Sequence, residues 1–179
     1  LDRAAGHAYR EFRIEAERWG FRHFLEVFNP NVGSDKLTRA EIGAFVNDSI
    51  ARVIAGVPAA MRPQFLKIAY NGPAALEELV AYDPSLIVGI LGGGAGTTRD
   101  TFELLAAARK GGARLVLFGR KINLAEDPLA LVALMRRVVE AEITPADAVR
   151  AYHDALAKGG IRPLRPLEAD LEVTEEVLR

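Results

Sequence analysis

A single lysine stands inside the apolar run Leu66-Lys67-Ile68-Ala69. An ammonium whose strand neighbours are apolar is costly to desolvate, which makes its neutral amine accessible. Such an amine can attack a carbonyl carbon and form a Schiff base, an electron sink for making or breaking a carbon–carbon bond. Two glycine-bearing segments follow, Gly92-Gly93-Gly94-Ala95-Gly96 and Phe118-Gly119-Arg120-Lys121. Exposed loop amides with a helix dipole behind them suit a phosphate, and Arg120 or Lys121 supplies charge. An amine beside a phosphate cradle points to carbonyl chemistry on a phosphorylated small molecule.

Each residue also has a plainer reading. Gly92 and Gly94 give G-x-G, but Thr97 stands where a dinucleotide fingerprint needs its third glycine, and no lysine follows as in a P-loop. The glycines could simply serve a tight turn, and Arg120 could pair with Glu126 or Asp127. Lys67 could be a structural lysine held by a carboxylate. Period-two alternation puts Phe24, Glu26 and Phe28 on one face of their strand, and Phe65, Lys67, Ala69 and Asn71 on one face of theirs. Glu26 is therefore the expected partner of Lys67, as a proton-transfer group or as a counter-charge. Tyr70 points the other way, into packing. Asn31 and Asn71 follow strand ends, where they can bind substrate hydroxyls or merely suit turns. His7, His23 and His153 have no ligand spacing, so no metal or other cofactor is expected.

The elements that must position these residues alternate. Helices are expected over residues 1–19, 38–54, 74–82, 99–109 and 128–140, with a further one ending near Lys158; strands are expected over 22–28, 64–70, 86–91 and 114–118. Thr38-Arg39-Ala40-Glu41 and Thr97-Thr98-Arg99-Asp100 have the form of capping boxes at helix starts. Leu86-Ile87-Val88-Gly89-Ile90-Leu91 and Leu115-Val116-Leu117-Phe118 are apolar on both faces, as parallel strands covered by helices must be. The strands begin after simple breakers and end in richer clusters: Asn29-Pro30-Asn31, Asn71-Gly72-Pro73, the glycine loop and Gly119-Arg120-Lys121. That asymmetry puts function on the C-terminal rim of a parallel α/β sheet.

Composition narrows the classes. The chain has 179 residues, with 23 Lys and Arg against 24 Asp and Glu, a net charge of −1 that gives no electrostatic reason to expect nucleic acid or an anionic membrane. It lacks cysteine, which excludes disulfides and thiolate zinc sites and fits a reducing, cytoplasmic location. No apolar run approaches the roughly 18 residues of a membrane span.

At these residues the chain resembles the second half of a class I, Schiff-base aldolase, the (β/α)8 TIM-barrel group that includes fructose-bisphosphate, tagatose-bisphosphate and deoxyribose-phosphate aldolases. The resemblance runs over residues 21–140 and rests on Phe24-Leu25-Glu26, the Leu-Lys-Ile strand, the Gly92–Gly96 loop and Phe118-Gly119-Arg120. It implies that the four strands are strands five to eight of the barrel, with Lys67 on strand six. It further implies an aldehyde-lyase in carbohydrate metabolism, with Lys67 and Glu26 catalytic. Gly92, Gly93, Gly94, Gly119 and Arg120 would hold the substrate phosphate, and Asn31 and Asn71 other parts of the substrate. The alternatives are a phosphate-binding barrel isomerase or synthase whose lysine stays non-covalent, and a non-catalytic barrel that binds a phosphorylated ligand. Residues 1–160 would form the half barrel and 161–179 a C-terminal arm. A half barrel leaves open strand edges. Upstream strands would close them, the favoured arrangement because Leu1 falls inside a helical pattern; a second copy in a homo-oligomer is the other.

Overall fold

A computed structural model of the chain describes residues 3–94 and 96–179. Leu1 and Asp2 of the first expected helix, and Ala95 of the glycine loop, lie outside the described residues. The order is α1 (Arg3–Arg18), β1 (Leu25–Val27), α2 (Arg39–Ile54), β2 (Phe65–Ile68), α3 (Pro73–Tyr82), β3 (Ile87–Leu91), α4 (Thr98–Lys110) and β4 (Leu115–Leu117). It continues through α5 (Arg120–Asn123), α6 (Pro128–Val139), α7 (Pro145–Lys158) and α8 (Leu167–Asp170). The strands are shorter than the apolar runs that signal them, because a ladder ends where the neighbouring chain departs. Two short helices, α5 and α8, were not expected.

Local chemistry explains the helix boundaries. At α2, Thr38 Oγ1 accepts from the Glu41 amide while Glu41 returns a hydrogen bond to the Thr38 amide, a complete capping box. Thr97 and Asp100 do the same at α4. Proline opens α3, α6 and α7, where its missing N–H costs nothing. Gly20 leaves α1 in the left-handed region, at φ 63°.

The four strands are parallel and lie in sequence order, β1-β2-β3-β4. Right-handed crossovers in that order put every connecting helix on the same face. That face is the core: Leu66, Ile68, Val88 and Ile90 pack against Val46 and Ile50 of α2, Leu76 and Leu79 of α3 and Leu104 of α4. Tyr70 joins this side, as alternation requires. The outer side of α4, through Phe102 and Leu105, meets α6 and α7 in a second cluster that includes Leu131, Leu134 and Val149. Tyr152 is buried there; its hydroxyl donates to Glu126 and accepts from the Asp127 amide. Burial, reinforced by the Glu126 carboxylate, pushes that phenol up to about 12.

Among the described residues no helix packs on the opposite face of the sheet, along which Phe24 and Leu115 are exposed. The row across this face is set by register: Glu26 lies opposite Lys67, Lys67 opposite Gly89, and Gly89 opposite Leu115. Gly89 has no room for a side chain, since a Cβ there would come within 2.7 Å of the Leu66 carbonyl oxygen and 3.1 Å of Leu117. Gly89→Ala is therefore expected to lower stability by about 1–3 kcal/mol in urea unfolding, because backbone on the central ladder must yield.

Candidate functional site

Lys67 and Glu26 occupy the middle of the helix-free face, and the Lys67 Nζ lies 2.8 Å from Glu26 Oε1. Their side chains are 23% and 30% exposed. The expectation of an amine isolated among apolar groups is thereby corrected: its strand neighbours Leu66 and Ile68 are apolar but point to the other face. The amine meets a carboxylate and water. Below the pair, Phe24 stacks on Phe65 with ring centroids 4.9 Å apart and planes 4° from parallel. Beside it, Gly89 contributes no side chain, and Leu115 and Leu117 crowd the place where one would stand.

The asparagines divide. Asn71, at the end of β2, exchanges two amide hydrogen bonds with Asn29, at 2.8 and 2.9 Å. Asn31 is exposed and does not join them. Asn29 was missed because alternation from Glu26 assigns it to the opposite face; the strand ends at Val27, after which that period no longer governs direction. The reciprocal pair ties the loop after β1 to the loop after β2 on the C-terminal rim.

The loops after β3 and β4 start side by side, because the Gly92 amide donates to the Leu117 carbonyl at 2.9 Å. Gly92 is a glycine for this close approach: a Cβ would strike the Phe118 ring. Its amide is consumed and faces no ligand. Gly93 has φ 70°, which favours glycine. The amides of Gly93, Gly94 and Gly119 donate no hydrogen bond among the described residues, and Arg120 is exposed without an ion pair there. Glu126 and Asp127 are engaged elsewhere, at Tyr152 and at the start of α6. Lys121 is committed within the rim, where it donates to the Gly96 carbonyl at 3.2 Å. Burial pushes its ammonium pKa down, partly offset by the nearby Asp170.

The start of α4 does hold an anion, but one that the chain itself provides. The Thr98 amide donates to Asp170 Oδ1 at 2.8 Å, at the positive end of the helix dipole. Asp170 also meets His153 Nε2 at 3.1 Å and is 4% exposed. Asp100, equally buried, accepts from the amides of Thr97, Thr174 and Glu175 and from the Thr174 hydroxyl. Thr97 donates its own hydroxyl to the Glu172 carbonyl at 2.7 Å. Residues 161–179 are thus laced to the α4 start, with Leu171 and Leu178 packed against the two hydrophobic clusters. The arm also brings a Glu175 carboxylate oxygen within 3.3 Å of where a Cβ of Gly93 would sit. The expected phosphate cradle is accordingly corrected at the helix start, where the Thr97, Thr98 and Asp100 amides are taken, and is narrowed to Gly93, Gly94, Gly119 and Arg120.

No protein-family model matches the chain, and no curated protein matches it.

Acid should loosen the arm. Burial works to raise both Asp100 and Asp170. The Thr174, Glu175 and Thr97 donors at the first, and the Thr98 amide and His153 at the second, outweigh it and hold both below the usual carboxylate range. A depressed folded pKa gives stability that is present above the unfolded value, about 3.9, and lost as pH falls through the folded values. Thermal unfolding is expected to be flat from neutral pH to about 5 and to fall below about 4. Asp100→Asn should lower stability by about 1–3 kcal/mol at neutral pH and flatten part of that acid fall.

Proposed function

We propose that this chain is the second half of a (β/α)8 barrel and that Lys67 acts as the Schiff-base lysine of a class I aldolase-like lyase on a phosphorylated keto or aldehyde compound. The observation that carries the reading is the cross-strand Lys67–Glu26 pair, 2.8 Å apart, on the helix-free face of a parallel sheet wound with its helices on one side. A barrel interior is such a face, and its exposed Phe24 and Leu115 are what further strands would cover. The same reading puts the enzyme in the cytoplasm, in keeping with a chain without cysteine.

In this mechanism Lys67 passes a proton to Glu26, and its free amine attacks the substrate carbonyl carbon. The resulting carbinolamine leaves as water the oxygen that Glu26 protonates, giving an iminium. In the retro-aldol step the Glu26 carboxylate takes the proton of the substrate's β-hydroxyl, the oxygen becomes the carbonyl of a released aldehyde, and the carbon–carbon bonding electrons pass into the iminium to form an enamine. Protonation and hydrolysis free the second product and restore Lys67. The Asn29–Asn71 pair stands at the rim where substrate hydroxyls would lie, and Gly93, Gly94, Gly119 and Arg120 are the groups left to meet the phosphate.

The ion pair also supports a second reading, in which Lys67 keeps its proton and serves an isomerase or synthase as a general acid. Borohydride separates the two. Incubation with dihydroxyacetone phosphate and borohydride should add the reduced adduct at Lys67, found by peptide mass; an unmodified Lys67 sinks the covalent mechanism. Lys67→Ala should cut turnover by at least about a thousandfold under either enzymatic reading. Glu175→Gln should lower the KM for a phosphorylated substrate severalfold by removing a negative charge from the Gly93 loop, with little change in kcat.

A further inference from the structure

Positive charge also gathers at the other end of the sheet. The segments that immediately precede β1, β2 and β3 surround, with the C-terminal half of α1, a cavity of about 360 Å³. Arg13, Arg22 and Arg62 line it, together with His23 and Gln64. Arg62 is committed: it pairs with Asp83 and donates to the Val57 carbonyl. Arg13 and Arg22 are not, since neither has a carboxylate within 4 Å among the described residues.

Arg13 is the more telling of the two. Its Nε is sealed from solvent and has no hydrogen-bond partner among the described residues, which leaves the outer guanidinium nitrogens as the groups that can meet an anion. The guanidinium is held in place, its central carbon 5.2 Å from the Tyr9 ring centroid. Tyr9 in turn bonds His23 Nε2 at 3.2 Å, and Phe12 packs edge-on against the imidazole at 5.2 Å. Burial, and then the charge of Arg13, lower the His23 pKa, so the imidazole adds no charge at neutral pH. Glu17 is the one carboxylate on the wall and is exposed. It leaves an acceptor for a hydroxyl on the body of a ligand. Two guanidinium forks fit the charge and oxygen geometry of one phosphate dianion.

We propose that this cavity, walled by Arg13 and Arg22 at the N-terminal end of the sheet, binds a small phosphate monoester at a site separate from Lys67 and Glu26. The volume is at the low end for small-molecule pockets and suits a ligand with a short hydroxylated carbon body. Because the C-terminal rim and this cavity lie at opposite ends of the same strands, occupancy here is that of a second ligand and does not use the groups proposed to hold substrate phosphate.

The chain has three histidines, so His23 ring resonances can be followed by NMR as a local reporter. Glycerol 3-phosphate should shift the His23 ring signals saturably at concentrations up to about 10 mM, whereas glycerol should not. Arg22→Gln, a change at an exposed residue, should weaken that response by roughly tenfold, and Arg13→Gln by at least as much, with circular dichroism verifying the fold. Arg120→Gln should leave the His23 response intact, which separates this site from the rim. Absence of a saturable shift overturns the proposal, as does a response that survives both Arg13→Gln and Arg22→Gln. Propionate binding as tightly as glycerol 3-phosphate would overturn the assignment to a dianion.

Discussion

Strand order constrains everything else in this molecule. Four parallel strands in sequence order, joined by crossovers of one hand, send α2, α3 and α4 to one face and leave the other without a helix among the described residues. A sheet whose order reversed would have helices on both faces and its crevice at the reversal. Here the odd set of side chains is left to form a separate surface. A charged pair can occupy its centre because no helix packs there, so Lys67 and Glu26 keep water contact and each other. The same pair placed on the Leu66–Ile68 side would be sealed beneath α2 and α3, where desolvation of two charges outweighs their attraction.

A second constraint comes from the C-terminal arm. A helix start presents amides that need acceptors, and an exposed one is available to a ligand. At α4 the chain satisfies them from within: Asp100 closes the capping box and gathers the arm's amides, while Asp170 takes the Thr98 amide. The arm therefore decides which parts of the glycine loop stay open. It also sets the electrostatics there, since it carries Glu175 to Gly93 and aligns Lys121 and Arg165 on the Gly96 carbonyl. Among the described residues, the amides of Gly93, Gly94 and Gly119 and the Arg120 side chain are what it leaves uncommitted on the rim.

Much of this arrangement is legible locally. Capping boxes at Thr38 and Thr97, prolines at helix starts, glycine after α1 and doubly apolar strands each act over a few residues, so the sequence signals them directly. Alternation likewise puts Lys67 on the face opposite Leu66 and Ile68, and Tyr70 on the core side. Alternation failed where the strand stopped: Asn29 lies two residues past Val27 and turned to meet Asn71. The short helices α5 and α8 escaped notice because four residues are too few to show a helical period.

The sequence by itself determined the alternation of helices and parallel strands, the helix boundaries and the facing of Lys67 away from Leu66 and Ile68. These follow from propensity, capping and period, which are properties of neighbours along the chain. Only the tertiary structure decided that Glu26 stands directly opposite Lys67, since register depends on how two strands dock and a shift of one residue would separate them. It alone decided that Asp170, Thr174 and Glu175, more than seventy positions from the residues they bind, close over the start of α4. Nothing local encodes a carboxylate's distant amide partner. The packing of Leu171 and Leu178 against the two hydrophobic clusters holds the arm where those hydrogen bonds are made.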